Sequence, residues 1–339
     1  EAVPAYRAEQ IVENLLKLDI SAVGSDRWMK QHENLELLNI QAHHNVQKEN
    51  EEFVKEAFIT FDKMECLVHE LLVIETWKAR IFPKISDKIA SEANMKAYFV
   101  LYHEATIANL LELMLFWKES CVAVGDSLLD LVDYCSRKFA VLSAWEEDTT
   151  QKTAKEMLEV DDHKRLVENS KELNFTIAMS TLSIFRYLTD HITDLPLSVM
   201  TRILNTNDMV GSAVYLVERA PWLQKRANGT FRRFEDGGWK DVAAADMDRL
   251  GKVEAQLWFA LYNLLIDTEC RRKYEYDERK RDVILRLRAY FTPDLVDQLP
   301  FLVTLQRHLE ELSIMQLPEY PIAGRSGLMV EMVRGSTAR

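Results

Sequence analysis

Three histidine-glutamate dipeptides are the residues of this chain whose types and spacing come closest to a metal-dependent active site. Each lies in a stretch with helical periodicity, and the three are His32-Glu33, His69-Glu70 and His103-Glu104. A helical zinc protease needs a second histidine four residues after the first, so that both rings face one metal ion. Those positions hold Glu36, Val73 and Ile107, so the zinc protease motif fails three times.

Other arrangements that support catalysis are also missing from the sequence. Bundle-type di-iron sites place a glutamate three residues before a histidine, and none of the 8 histidines has one there. The pair Asp161-Asp162 is followed by His163, Lys164 and Arg165, so a cation stands where a magnesium-binding terpene cyclase needs its third carboxylate. The scattered glycines form no phosphate loop and no nucleophile elbow. The sequence therefore predicts no catalytic residue, no cofactor site and no metal site.

The charged residues supply a candidate surface for partner binding. The chain of 339 residues has a formal net charge of −12, which is too acidic for a general nucleic-acid binder. The acidic excess lies in residues 1–150, which carry 15 basic and 26 acidic side chains, net 15 − 26 = −11. Local basic clusters lie in the second half, and they predict a docking surface for an acidic peptide or tail.

Six residues form this predicted docking surface. Three belong to one cationic run, two are adjacent arginines and one is a nearby tryptophan, namely Arg271, Arg272, Lys273, Arg232, Arg233 and Trp239. Acidic residues such as Glu275 and Asp277 follow the cationic run, so a solvated helix face is the competing interpretation.

The scarcity of turn-forming residues favours an all-α fold. Glycine and proline number 10 and 8, too few for the frequent reversals of barrels, sandwiches and parallel α/β folds. Apolar residues recur every three or four positions, and this periodicity predicts helices that include 26–47, an unbroken 94–124 and 152–189. One excursion is predicted, a β-hairpin at 230–242 that projects from the helical body.

Two helical segments share a signature typical of the second helix of an armadillo repeat, which ends in an Asn-Leu pair. The pairs are Asn109-Leu110 and Asn263-Leu264. An asparagine near a helix end can hydrogen-bond exposed backbone groups at the turn, and the leucine packs between layers. We therefore expect an armadillo-like helical solenoid over residues 1–315 and a flexible tail or linker over 316–339.

The cysteines and the apolar runs indicate a reduced chain outside the membrane. Each cysteine lies in an apolar helical pattern and none forms a C-x-x-C pair, which predicts buried free thiols in the cytosol. The most apolar run, 110–117, is interrupted by Glu112, so no membrane span is predicted. The beginning of the chain has no cleavable signal, and the missing initiator methionine suggests a trimmed fragment.

Five strings together carry a resemblance to one family. They are QHENLE at 31–36 with LN at 38–39, HEATIANLLE at 103–112, LDLVDYC at 129–135 with RK at 137–138, ALYNLL at 260–265 and DQLP at 297–300. In this order and spacing they resemble the helical body of the zinc finger MYND domain-containing protein 10 family, a family of dynein axonemal assembly factors.

The resemblance implies a non-enzymatic factor that helps axonemal dynein arms assemble in the cytoplasm, near centriolar satellites or basal bodies. Its implied partners are a leucine-rich-repeat dynein assembly factor, a heat-shock chaperone and a prolyl isomerase, with dynein chains as clients. The family ends in a MYND zinc finger, whereas the last cysteine here is Cys270 and the last histidine is His308. Zinc is therefore expected only in a finger that this chain lacks.

Two other functions compete with the assembly factor. The first is a generic armadillo-type adaptor that binds an acidic or extended peptide without chaperones. The second is an all-helical enzyme, which the failed metal and nucleophile motifs disfavour. A list of partners from a ciliated cell separates the assembly factor from the adaptor.

Overall fold

Helices and one small sheet make up the part of the chain that the structure describes. The computed structural model describes residues 3–48, 51–91, 95–145, 161–226 and 228–315, and within them lie 16 α-helices and three strands. The predicted tail at 316–339 lies outside these residues, as does the start of the helix predicted at 152–189. The predicted all-α class with one inserted β element is confirmed.

The first eight helices are α1 (Ala5–Glu13), α2 (Asp26–Gln47), α3 (Phe53–Thr60), α4 (Met64–Arg80), α5 (Phe82–Ser91), α6 (Met95–Leu115), α7 (Lys118–Ala123) and α8 (Leu128–Ser143). The others are α9 (Asp162–Asp190), α10 (Leu197–Thr201), α11 (Met209–Arg219), α12 (Lys252–Ile266), α13 (Thr268–Lys273), α14 (Glu278–Leu285), α15 (Pro293–Gln298) and α16 (Leu302–Ile314). A π-helical turn at Arg202–Thr206 follows α10. Three strands lie between α11 and α12, namely β1 (Leu223–Lys225), β2 (Phe231–Glu235) and β3 (Gly238–Val242).

The helices pack as the two layers of a solenoid. In the first layer α2, α6, α9 and α12 lie side by side, each against the next. The second layer contains α4, α8 and α11, which pack on α6, α9 and α12 respectively. Apolar side chains between the layers form the main core, and a smaller cluster around Trp28, Ile74 and Trp77 closes the N-terminal end. The predicted armadillo-like solenoid is confirmed.

Side-chain caps and one interruption set the helix ends around the first layer. Ser25 accepts a hydrogen bond from the Trp28 amide at 3.3 Å and begins α2, which has the predicted bounds. The single helix predicted over 94–124 is wrong. The backbone at Trp117 is extended, with φ −96° and ψ 131°, so α6 ends at Leu115 and α7 starts afresh at Lys118.

The strands form one antiparallel sheet in the order β1-β2-β3, which confirms the hairpin and adds a strand before it. Its turn needs positive φ at Asp236 and Gly237, 51° and 77°. The prediction that the hairpin projects is wrong. Phe234 is only 4% exposed and its ring lies 5.3 Å from Phe175 of α9, and the Trp239 ring lies 5.6 Å from the same ring. The hairpin packs on the helices because its aromatic face would otherwise leave apolar area in water.

Among the helices in the described ranges, none has an apolar stretch long enough to cross a bilayer.

Candidate functional site

The cationic run predicted as a docking surface lies on a short helix in the C-terminal part of the solenoid. Arg271, Arg272 and Lys273 occupy the last turn of α13, and all three side chains are exposed. Arg272 pairs with Glu269 at 2.9 Å, an exposed ion pair of the kind that contributes little to stability. The run is therefore an accessible cationic surface, and its capture of an acidic segment stays a prediction.

The hairpin members of the predicted surface have different surroundings. Arg233 is 7% exposed, and its guanidinium donates to the Met247 carbonyl at 3.2 Å, which ties β2 to the segment before α12. Arg232 donates to the Gln224 side chain at 2.6 Å and lies 4.9 Å from the centre of the Trp239 ring. Arg233 is thus buried and stabilises the fold. Arg232 and Trp239 are half-buried and lie next to each other.

The asparagines of the two Asn-Leu pairs do not make the contacts that the sequence predicts. Leu110 and Leu264 are buried between layers as expected. Asn263, however, donates from its amide to Asp190 at 2.7 Å and to Thr189 at 3.2 Å, so it links α12 to the end of α9 instead of its own turn. Asn109 lies in the interior of α6 and faces a groove. The expected bond to backbone at a helix end is wrong for both.

That groove, of about 700 Å³, crosses the open face of the first layer. All four helices of the layer and the turn of the hairpin contribute side chains to it, among them His43 of α2, Glu112 of α6, Ser180 of α9, Gln256 of α12 and Asp236. Grooves of this size fall within the range that holds ligands in proteins. It is the candidate functional site of the chain.

Glu112 is the acidic centre of the groove. Burial raises its pKa, and hydrogen bonds from the Ser183 and Ser180 hydroxyls offset only part of that effect. Within the described ranges, no Lys or Arg forms an ion pair with Glu112. A desolvated carboxylate that accepts hydrogen bonds only from hydroxyls has no cation to stabilise its charge. A cation from a binding partner would stabilise the ionised form and lower the pKa of Glu112.

Aromatic rings stand next to this carboxylate. Phe116 and Trp117 follow Glu112 at the break between α6 and α7, and they are 52% and 37% exposed. The Phe116 ring lies edge-on to Trp117 at 5.4 Å and to Tyr187 of α9 at 5.6 Å. Exposed aromatic side chains in a concave site are typical of partner-binding surfaces.

The remaining charges of the groove are already paired within the chain. Asp236 is bound by Lys240 and, at 2.9 Å, by Lys252, and hydrogen bonds from these two ammonium groups lower its pKa to about 2. Glu52 lies 4.0 Å from Lys55, which in turn lies over the Trp117 ring. Among the described residues, Glu112 is therefore the charge of the groove that no other side chain balances.

The sequence contains a periodic pattern for this groove that the spacing rules for catalytic motifs do not detect. Polar and aromatic residues recur on one face of two helices, at Asn109, Glu112 and Phe116 of α6 and at Thr176, Ser180, Ser183 and Tyr187 of α9. Spacings of three and four put each set on one helical stripe. A polar stripe opposite the apolar face is common on a single helix. Two such stripes line a groove only when their helices lie side by side.

The histidine-glutamate pairs form a buried hydrogen-bonded chain instead of a metal site. The His32 Nδ1 atom lies 2.9 Å from His103 Nδ1, and His103 Nε2 lies 3.1 Å from Glu70, which also accepts from Gln31 at 2.7 Å. The consistent assignment has His103 Nε2 donating to Glu70 and His32 Nδ1 donating to His103 Nδ1. Burial, with a smaller electrostatic effect from His103, lowers the pKa of His32 to about 4. This chain joins α2, α4 and α6.

Glu104 anchors a second buried cluster next to the first. Its carboxylate lies 2.7 Å from Lys78 of α4 and 2.6 Å from Lys138 of α8, and it accepts from the Tyr134 hydroxyl at 2.8 Å. Burial alone would raise the pKa of Glu104, but the two lysines outweigh it and lower the pKa to about 2. The two clusters hold the layers in register.

The relatives of the chain indicate its family. It is 30% identical over 311 residues to the zinc finger MYND domain-containing protein 10 homolog of Drosophila melanogaster, over 89% of this chain and 67% of that protein. The chain belongs to the zinc finger MYND domain-containing protein 10 family. No family model matches the chain. No solved structure matches it either.

The described part of this chain has no arrangement suited to zinc. Within the described ranges, no group of three or more His, Cys, Asp or Glu side chains is placed to hold a metal ion. All four cysteines are buried and free, and burial raises the pKa of Cys121 and of Cys270 to about 12. At neutral pH such thiols stay protonated and react poorly as nucleophiles. That the chain binds no metal or cofactor stays a prediction.

Proposed function

We propose that this chain is a non-enzymatic scaffold that helps the axonemal dynein arms of motile cilia assemble in the cytoplasm. The observation that carries the proposal is its membership of the zinc finger MYND domain-containing protein 10 family across most of its length. The helical layers supply a rigid frame, and the groove supplies a concave surface for a client or a co-chaperone. The buried, protonated thiols and the absence of a metal-ligand cluster among the described residues favour binding over catalysis.

The proposed partners are those that the family resemblance implies. They are a leucine-rich-repeat dynein assembly factor, a heat-shock chaperone and a prolyl isomerase, with dynein chains as clients, at sites near centriolar satellites or basal bodies. The accessible cationic run on α13 and the groove on the first layer are separate surfaces with different chemistry. A scaffold with two surfaces can hold a client and a chaperone together.

Proximity labelling in a multiciliated cell tests this function. The chain fused to a biotin ligase should enrich dynein heavy chains and chaperones over a ligase-only control. Depletion of the protein from the cell should remove dynein arms from the axonemes. A second comparison uses the Lys138→Met variant. Its weakened fold should reduce the enrichment if labelling depends on the folded chain. Enrichment of unrelated proteins, with normal dynein arms after removal, would instead support the generic adaptor.

A further inference from the structure

The groove contains polar groups whose hydrogen-bonding capacity the fold leaves unused. The Gln256 Oε1 atom is buried without a hydrogen-bond partner among the described residues. Asn109 also makes no side-chain hydrogen bond to any residue that the structure describes, and it lies one helical turn before Glu112 on the same stripe of α6. Buried polar atoms are rarely left unpaired, so the Gln256 oxygen points to an outside partner that completes it.

We propose that the groove binds an extended segment of a partner protein that places one arginine or lysine on Glu112 and packs apolar side chains on Phe116 and Tyr187. The segment's backbone amide and carbonyl groups pair with Asn109 and Gln256. This deepens the proposed scaffold function by naming the chemistry of one partner. It also gives the groove the opposite preference to the cationic run on α13.

Charge complementarity selects a basic side chain for this position. Glu112 lines the groove together with Ser180 and Ser183, and it has no paired cation in the described part of the chain. An acidic side chain at the same place would add a like charge in a site of low dielectric constant. The nearby cations do not change this, because they are already paired. Lys252 and Lys240 bind Asp236, and Arg186, which lies 5.0 Å from the centre of the Tyr187 ring, pairs with Asp190 at 2.9 Å.

The aromatic rings and the length of the groove define the rest of the segment. Phe116 and Tyr187 flank Glu112 and present ring faces and edges to an aliphatic stem or a guanidinium. The groove crosses four helices that lie side by side, and three spacings of about 8–10 Å between their axes span about 25–30 Å. An extended chain covers that distance with about 7 to 9 residues.

Selection from a phage-displayed library of random nine-residue peptides on the purified full chain tests the sequence preference. Enriched peptides should share one Arg or Lys beside apolar or aromatic residues. Selection on the Glu112→Arg variant should instead enrich peptides with Asp or Glu. No enriched sequence, or acidic peptides on the unaltered chain, would overturn the proposal.

The most enriched peptide, synthesised with a fluorophore, tests the assignment to Glu112 by anisotropy. Glu112→Gln should weaken binding at least about tenfold, as should replacing the peptide's basic residue with norleucine, and the two effects should not add. Glu119→Gln removes an exposed acid outside the groove and should change the Kd less than about twofold. Phe116→Ser, at a largely exposed ring, should also weaken binding without unfolding the chain.

Unchanged affinity in folded Glu112→Gln would refute the proposed contact. Concentration-dependent dimerisation that Glu112→Gln abolishes would assign the groove to a second copy and overturn the proposal as well. Both results leave the dynein function testable, because proximity labelling does not depend on this peptide. Absence of dynein from the labelled proteins, with selective basic peptides, would reject the dynein role and keep the groove assignment.

Discussion

The Lys138 ammonium lies 2.6 Å from the Glu104 carboxylate, and both side chains are almost completely buried between α6 and α8. Lys78 and Tyr134 bind the same carboxylate, so a single buried anion joins three helices from both layers. Charges this deep are tolerated only when each one keeps its partners.

Replacing Lys138 with methionine should therefore destabilise the chain by about 3 kcal/mol or more, since Glu104 would lose one of its two cations. Urea unfolding followed by far-ultraviolet circular dichroism measures the loss. The double variant Lys138→Met with Glu104→Gln should cost less than the sum of the single variants, because no uncompensated charge remains. Additive losses would show that the pair is not coupled.

Acid should weaken the fold in two steps. The pKa of His32 falls from 6.5 to about 4 on folding, so between these values the unfolded state binds more protons and stability declines as pH drops. The full effect is about 3 kcal/mol at most. A second loss follows below pH 4.5, where Glu104, with a folded pKa of about 2, must be protonated on unfolding.

Urea titrations at a series of pH values measure both steps. His32→Gln should flatten the dependence between pH 6.5 and 4, and Glu104→Gln should flatten it below 4.5. His43 and His308, whose pKa values burial also lowers, should leave some slope in the His32 variant. An unaltered slope in both variants would show that these groups titrate normally in the fold.

Asn263→Ala should cost about 1 to 2 kcal/mol, because it removes the amide that donates to Asp190 at 2.7 Å and to the buried Thr189 hydroxyl at 3.2 Å. The melting temperature measures the effect. Asn263→Asp is the sharper comparison, since it places two carboxylates together and should destabilise more. Equal melting temperatures for all three proteins would remove the asparagine from the inter-helix link.

Phe234→Ala in the hairpin should cost about 3 to 5 kcal/mol, because the ring is buried against Phe175 and Trp239. The control Lys240→Ala lies on the solvent side of the neighbouring strand and should change stability by about 0.5 kcal/mol or less. Chemical unfolding of both variants makes the comparison. Little loss from Phe234→Ala would restore the projecting hairpin that the sequence suggests.

Reversing Arg271, Arg272 and Lys273 to glutamate should weaken capture of an acidic partner segment and leave the chain folded, since all three side chains are exposed. Pull-downs at low and moderate salt measure capture. The matched reversal of exposed Arg27 and Lys30 on α2 should have no effect. Equal capture by both variants would favour a solvated helix face.

Local patterns in the sequence determined the fold class and many elements. Apolar spacing and a serine cap predict α2 with its observed bounds, and an Asp-Gly turn between β-forming residues predicts the β2-β3 hairpin. These features depend on residues within a few positions of one another. Local signals are weaker at α5, where Pro83 can either end one helix or stand in the first turn of the next, and the structure places it in the first turn.

Tertiary structure decided which polar residues meet. His32 and His103 are 71 positions apart and Glu104 and Tyr134 are 30 apart, so no spacing rule within one helix places them in contact. Glu112 and Ser180 likewise become one site only because α6 and α9 align in the first layer. Helix formation is local, whereas the pairing of charges and the shape of a groove depend on how layers stack, and periodicity carries no information about that.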